Sequence, residues 1–257
     1  MKILYCGCEY CDIIEKEKKQ SVYTALADSG MDVVAIPDLC QVAAKERALL
    51  KDIAASGELA VVACFPRAVK ALFDFAGLGK KVKLHFFNMR TSSAEEILGK
   101  LKINNSKKRN GKNGIKSKSG KKAWIPWFPV IEYGRCVNCK QCLSFCLFGV
   151  YELSKMGKVI VAKPENCKTN CPACAKVCPK SAIIFPKYSD SPINGGAVGK
   201  NAGAAKNFKI DYDKILGDDT YSALLQRRRN AMSGLLNGKN SAFDNKPAKP
   251  RLLKKSK

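Results

Sequence analysis

Cys136-Val-Asn-Cys139-Lys-Gln-Cys142-Leu-Ser-Phe-Cys146 is followed, after a gap, by Cys167-Lys-Thr-Asn-Cys171-Pro-Ala-Cys174-Ala-Lys-Val-Cys178-Pro179. The first run has the spacing C-x2-C-x2-C-x3-C. The second keeps it except for one extra residue between Cys167 and Cys171. Corresponding cysteines lie 31, 32, 32 and 32 positions apart, so one half-domain is used twice. The fourth cysteine is followed by Pro179 in the second half and by Leu147 in the first.

The spacing has a geometric reason. Three thiolates two residues apart wrap a loop around three corners of an iron–sulfur cube. The fourth, three residues further into a short helix, points away and reaches the other cube. This assigns Cys136, Cys139, Cys142 and Cys178 to cluster I, and Cys146, Cys167, Cys171 and Cys174 to cluster II. The stretch from about 125 to 187 resembles the bacterial-type dicluster ferredoxins. That resemblance implies a compact α+β fold, two [4Fe-4S] clusters and one-electron transfer at low potential. A zinc module and a disulfide framework are the other uses of clustered cysteines, and eight in this register with Pro179 favour the clusters. The extra residue and Leu147, where the family usually has proline, bear on the potential and accessibility of cluster II and remove no ligand.

The rest of the chain sets the boundaries. Its 257 residues suit one or two domains. No run of 18 apolar residues exists, so no membrane span is expected. Met1-Lys-Ile-Leu-Tyr-Cys-Gly-Cys8 lacks an apolar signal core, which predicts a cytoplasmic protein. Thirteen cysteines then point to metal or redox chemistry, because cytosolic disulfides are rare. A single histidine, His85, excludes Rieske-type ligation. The net charge of +24 is uneven: residues 1–98 balance 13 basic against 13 acidic side chains, whereas 99–123 hold 10 basic and no acidic ones.

Residues 1–101 read as an α/β domain with a parallel sheet. Short apolar runs at 2–5, 32–36, 59–63 and 82–87 alternate with helical segments at 13–29, 42–56, 68–76 and 94–101. Gly30, Gly57 and Gly77 stand where helix C-caps belong. In an open α/β sheet ligands gather at the carboxyl ends of the strands. The other five cysteines fall there: Cys6, Cys8 and Cys11 after the first strand, Cys40 after the second and Cys64 after the third.

This half resembles the N-terminal region of the flavin-bearing subunit of heterodisulfide reductase, through Cys6-Gly-Cys8, Leu39-Cys40, Val62-Ala-Cys64-Phe-Pro-Arg67 and Asn88-Met-Arg90. The resemblance implies a third iron–sulfur cluster on Cys6, Cys8, Cys40 and Cys64. It carries over no reductase activity, since no G-x-G-x-x-G flavin motif occurs and Ala68-Val-Lys70 replaces the family's usual His-Glu-Pro. The residues alone leave two other readings open. Cys8-Glu-Tyr-Cys11 is a C-x-x-C opening a helix, suited to a redox dithiol, and Cys40 and Cys64 can serve as small buried hydrophobes. His85 reads as a core or face residue of the fourth strand.

Residues 102–123 read as a disordered basic linker. Without interleaved aromatics or a recognisable motif, it argues against nucleic acid as a partner. Residues 124–187 form the dicluster domain: Trp124-Ile-Pro-Trp-Phe-Pro-Val130 packs beside a cluster, a hairpin spans 150–162, and 183–185 is the closing strand. Residues 188–257 read as loop, amphipathic helix (Tyr221, Leu224, Leu225, Met232, Leu235, Leu236) and basic tail. The expected protein is a low-potential iron–sulfur electron carrier, or an electron-transfer subunit of an anaerobic oxidoreductase. Its partners are redox proteins, including subunits of heterodisulfide-reductase type. The alternatives are a component with thiol–disulfide chemistry in its N-terminal domain and an iron–sulfur regulator on nucleic acid. No catalytic residue is identifiable.

Overall fold

β-Branched and apolar runs in the first hundred residues pair in parallel, with β1 (Lys2–Cys6) and β3 (Glu58–Ala63) central. β2 (Val33–Ile36) and β4 (Lys83–Asn88) flank them in the order β2-β1-β3-β4. The computed structural model describes residues 2–79, 81–103 and 124–199, and Leu225. The remainder of the expected linker, and the expected C-terminal helix and tail apart from Leu225, lie outside these residues.

Strand alternation divides the sheet's side chains between two cores. Ile3, Tyr5, Val33, Ala35, Ala60 and Val62 face α1 (Lys16–Asp28) and α5 (Ala94–Lys100). Leu4, Cys6, Ile36, Leu59, Val61 and Ala63 face α2 (Leu39–Lys45), α3 (Arg47–Ile53) and α4 (Pro66–Phe75). The single helix expected over 42–56 is two. Asp38 caps α2 four residues earlier by accepting a hydrogen bond from the Gln41 N–H, and the chain breaks at Glu46 before α3.

The dicluster half is built from β5 (Val130–Ile131), α6 (Gln141–Phe145), β6 (Tyr151–Leu153), β7 (Val159–Val161), α7 (Ala173–Lys176) and β8 (Ile183–Ile184). β5 pairs antiparallel with β8, and β6 with β7, as the expected hairpin requires. The duplication reaches the backbone. Asn138 and Asn170 share positive φ (55° and 63°) 32 positions apart, as do Gly149 and Ser181 (67° and 47°). The extra residue of the second loop is thereby confined to the stretch between Cys167 and Asn170.

The two halves share one core. α4 buries Ala68, Val69, Ala71, Leu72 and Phe73, more than one face, because the sheet covers one side and β5 the other. Phe75 of α4 meets Phe128 at 5.4 Å between ring centroids, and Trp124 stacks on Phe128. Every element from β1 to β8 belongs to a single compact unit. Arg67, in the first turn of α4, donates to Glu132 Oε2 (3.0 Å from Nε) and to the carbonyls of Gly196 (2.6 Å) and Ser181 (3.2 Å).

The segment after Lys187, loop-like in sequence, lies tightly on α4. Gly195 has φ +92°, and a Cβ there would stand 2.7 Å from Ala68 Cβ and 2.8 Å from Ala68 N. Gly195→Ala should therefore lower the unfolding free energy by about 2–4 kcal/mol, from the strained φ plus the overpacked contact. Urea unfolding measures it. Ala68→Gly should cost about 1 kcal/mol alone, yet recover part of the loss in the double variant, because it removes one of the colliding groups.

Candidate metal centres and a cysteine crevice

All thirteen cysteines are free thiols, and they fall into three neighbourhoods. The first is a cavity lined by Cys136, Cys139, Cys142 and Cys178 with Ile131, Val159, Ala182 and Ile183. The loop from Cys136 to Cys142 turns through left-handed Asn138 and Lys140, and Cys178 arrives from the end of α7. The Asn138 side chain fixes the loop by donating to Gly157 O (2.9 Å) and accepting from Val159 N (3.0 Å). Burial pushes the Cys142 thiol up to about 12, and the neighbouring Cys174, Cys178 and Cys139 add to it.

In the second neighbourhood Cys146 joins Cys167, Cys171 and Cys174. Burial raises Cys167 to about 12, with further contributions from Cys174, Cys146 and Cys171. Cys174 is likewise raised to about 12 by burial, against the lowering effect of a hydrogen bond donated by Tyr151 Oη (3.1 Å). Trp127 donates from Nε1 to Cys171 O at 3.4 Å, so one aromatic of the expected cluster-side segment stands beside these thiols. Trp124 does not: it packs on Phe128 and under Lys45 of α2.

Each set thus gathers four thiols beside apolar side chains, and burial favours the neutral thiol at Cys142 in the first and at Cys167 and Cys174 in the second. A bound cationic centre is what turns such thiols into thiolates, and soft sulfur donors select iron–sulfur clusters among metals. Among the described residues no three His, Cys, Asp or Glu side chains close on a single metal ion. A cluster differs in this respect, because each thiolate reaches its own iron. The residues fit the cluster.

The third neighbourhood is at the carboxyl ends of β1, β2 and β3, where all five remaining cysteines converge. Cys6 ends β1 and accepts the Leu39 N–H at 3.2 Å. Cys40 is buried in the first turn of α2, and Cys64 follows β3. Cys8 has φ +47° and its thiol is hydrogen-bonded to that of Cys11. That bond pulls Cys11 down to about 6, and raises Cys8. Burial pushes Cys6 up to about 12, Cys64 to about 11, and Cys40 well above the ordinary thiol value.

Among these thiols stands an ammonium group that sequence reasoning missed. Lys187, two residues past Phe185, is buried and donates to the carboxylate of Asp38, the fully buried cap of α2. Burial alone would lower the Lys187 pKa. Attraction to Cys40, Asp38 and Cys8 outweighs it and raises the group well above its ordinary value. Arg90 stacks over Phe65 and holds the carbonyls of Pro186 (3.3 Å), Tyr188 (3.0 Å) and Ser189 (3.1 Å) across the same end of the sheet. No periodic pattern marks Lys187. A capping residue ahead of α2 was readable at Asp38. His85, by contrast, lies on the sheet face as expected, 2.8 Å from Glu58.

The pattern of the 4Fe-4S dicluster domain family matches residues 128–210. Pyruvate synthase subunit PorD of Methanocaldococcus jannaschii is 32% identical over 71 residues, which are 28% of this chain and 78% of that relative. The chain belongs to the 4Fe-4S dicluster ferredoxin family. An uncharacterized ferredoxin of the same organism is 51% identical over 63 residues, 24% of this chain and 42% of that one, so the chain spans less than half of this relative. Ferredoxin-3 of Nostoc sp. is 28% identical, over 29% of this chain and 89% of its own length. No solved structure matches. Among the described residues no helix is long and apolar enough to cross a membrane. The dicluster ferredoxin identity covers the two cysteine sets beyond residue 128, and the N-terminal crevice lies outside the match.

The crevice generates its own test. Lys187→Met leaves the Asp38 carboxylate buried without its cation, which should cost about 3–5 kcal/mol in unfolding free energy. Lys187→Met combined with Asp38→Asn should recover most of that loss, because no unpaired charge remains. Since the folded pKa of Lys187 is raised, the pair's stability is fully present below the unfolded lysine value of about 10.4 and is lost only as pH rises beyond it. Urea titrations at pH 7, and at a pH above the unfolded lysine value of about 10.4, check both statements.

Proposed function

We propose that this chain is a low-potential electron-transfer protein, or the electron-transfer subunit of an anaerobic oxidoreductase complex, carrying two [4Fe-4S] clusters. Cluster I is held by Cys136, Cys139, Cys142 and Cys178, and cluster II by Cys146, Cys167, Cys171 and Cys174. One observation carries this reading: Cys178 lines a cavity with the first three cysteines, while Cys146 neighbours the second set. Each cluster, when bound, takes up and gives back one electron.

The chain's own residues then tune and insulate. Tyr151 Oη donates to Cys174 Sγ, and the Ala182 N–H donates to Cys178 Sγ at 3.3 Å. Such bonds stabilise negative charge on sulfur and so raise the potential of the cluster it ligates. Leu143, Val150, Val159 and Ile183 keep water from the interior.

The N-terminal crevice supports a third cluster on Cys6, Cys8, Cys40 and Cys64, as its resemblance to the flavin-bearing subunit of heterodisulfide reductase implies. Lys187 and Arg90 there would offset the charge of four thiolates. α2 connects the sites: Cys40 lies in its first turn, and Lys45 in its last pairs with Glu165, two residues before Cys167. A seven-residue helix is about 10 Å long. The hydrogen bond between Cys8 and Cys11 favours a second reading, in which these two form a redox dithiol and the domain does thiol–disulfide chemistry. Free cysteines throughout fit a reducing cytoplasm. The similarity to a pyruvate synthase subunit supports a place beside larger redox partner proteins.

Iron and sulfide analysis after anaerobic purification separates the two: about twelve irons per chain indicate a third cube, about eight leave the crevice to the dithiol. Cys136→Ala and Cys178→Ala should abolish the same EPR signal of the reduced protein and leave the other. A Cys178→Ala variant that instead lost the signal removed by Cys171→Ala would overturn the ligand sets.

A further inference from the structure

Only one of the thirteen cysteines is exposed: Cys139, at the cluster I loop. Its surroundings are unusual for a surface. Val137 is 58% exposed and Met156, at the tip of the β6–β7 hairpin, is 82% exposed. The clasp that Asn138 makes with Gly157 and Val159 brings that tip against the loop. Lys140 and Lys180 line the mouth of the same cavity, and Lys155 and Lys158 flank the tip, all four exposed. Between residues 133 and 164 the only acidic side chain is Glu152, which is paired with Lys163.

We propose that this surface, an apolar centre of Val137 and Met156 inside a ring of lysines, is where an acidic redox protein docks to exchange electrons with cluster I. The proposal rests on the electron-transfer reading above. A large apolar side chain held in water at a cluster's exposed corner is what a transient protein interface uses for contact, and the lysines supply steering. Nucleic acid would satisfy the lysines, but its phosphates give Met156 and Val137 nothing to bury. The equivalent cysteine of the other half is more withdrawn: Cys171 is half-buried and its carbonyl accepts from Trp127, although Lys168, Thr169 and Asn170 before it are exposed. Leu147 is 80% exposed, but beside the buried Cys146.

The test uses the full chain with its clusters, reduced by dithionite, and two probes of opposite charge. The first is a flavodoxin, an acidic protein. One electron leaves a reduced cluster and, with a proton from solvent, converts oxidised flavin to the neutral semiquinone, read by stopped-flow absorbance. The second is cytochrome c, a basic protein whose ferric haem takes one electron. Expected for the wild type is fast flavodoxin reduction at 50 mM salt, slowed tenfold or more at 300 mM. Lys140→Glu with Lys155→Glu should slow flavodoxin at least tenfold and speed cytochrome c. Met156→Gln and Val137→Gln should each slow flavodoxin several-fold, and Leu147→Gln should leave it unchanged.

Equal rates across these variants, with EPR signals intact, would overturn the docking surface alone. So would a slow Leu147→Gln beside a normal Met156→Gln, which would place the exchange at cluster II. A DNA duplex that blocks transfer at 300 mM salt, and ceases to do so in Met156→Gln, would assign the surface to nucleic acid. A wild-type chain without iron would sink the electron-transfer reading itself.

Discussion

Asp38 and Lys187 stand 149 positions apart in the chain and both are out of reach of water. Removing two such ions from solvent costs several kcal/mol for each, and their mutual attraction offsets this only when the remaining hydrogen-bonding capacity is also used. Here it is. Asp38 takes the Gln41 N–H as cap of α2 as well as the Lys187 ammonium, and among the described residues no buried side-chain nitrogen or oxygen lacks a hydrogen-bond partner. The requirement fixes the course of the chain between Phe185 and Gly196. Lys187 must reach Asp38, the carbonyls of 186, 188 and 189 must reach Arg90, and Gly196 must reach Arg67. This segment folds over the strand ends to satisfy three cations, with little apolar pattern of its own.

The consequence is a rigid relation between groups that the primary structure separates. A tether across 102–123 would leave two bodies free of one another. α4 prevents that, being buried against the sheet on one side and against β5 and Phe128 on the other. Leu72 and Phe73 are both fully buried although adjacent side chains on a helix diverge by about 100°. Geometry between the cysteine crevice and the second cysteine set is therefore set by packing, with α2 reaching from Cys40 to Glu165.

How much of this was legible follows from the range of each signal. The eight cysteines of the dicluster half lie in short, spaced runs, and both loops and helices form where the spacing puts them. The four parallel strands and the caps at Gly30, Gly57 and Gly77 were readable because β-branched runs and left-handed glycines are local features. The start of α2 carried a local signal in Asp38, an N-cap residue type, whereas the break at Glu46 carries no glycine or proline. Lys187 was invisible for a different reason. A lysine in a polar, glycine-rich segment is ordinarily a solvated one, and only its distant partner makes it a core residue. The doubly buried face of α4 was there to be read in Ala68-Val69-Lys70-Ala71-Leu72-Phe73, apolar at every position but Lys70 and so too wide for one sheet to cover.

The duplication is faithful in backbone and broken in surroundings, and function follows from the break. Asn138 and Asn170 take the same left-handed turn in equivalent loops, yet the first clasps the hairpin while the second is exposed, next to the Cys171 carbonyl that Trp127 holds. One half therefore presents an exposed thiol to solvent, while the thiols of the second set are buried or half-buried. Reduction adds a negative charge, which a buried centre accepts less readily than one near water and lysines, unless hydrogen bonds to sulfur compensate. Tyr151 is placed to do so at Cys174. Two copies of one motif thus carry the same ligand types in different surroundings, set apart by burial and by hydrogen bonds to sulfur and not by the cysteines.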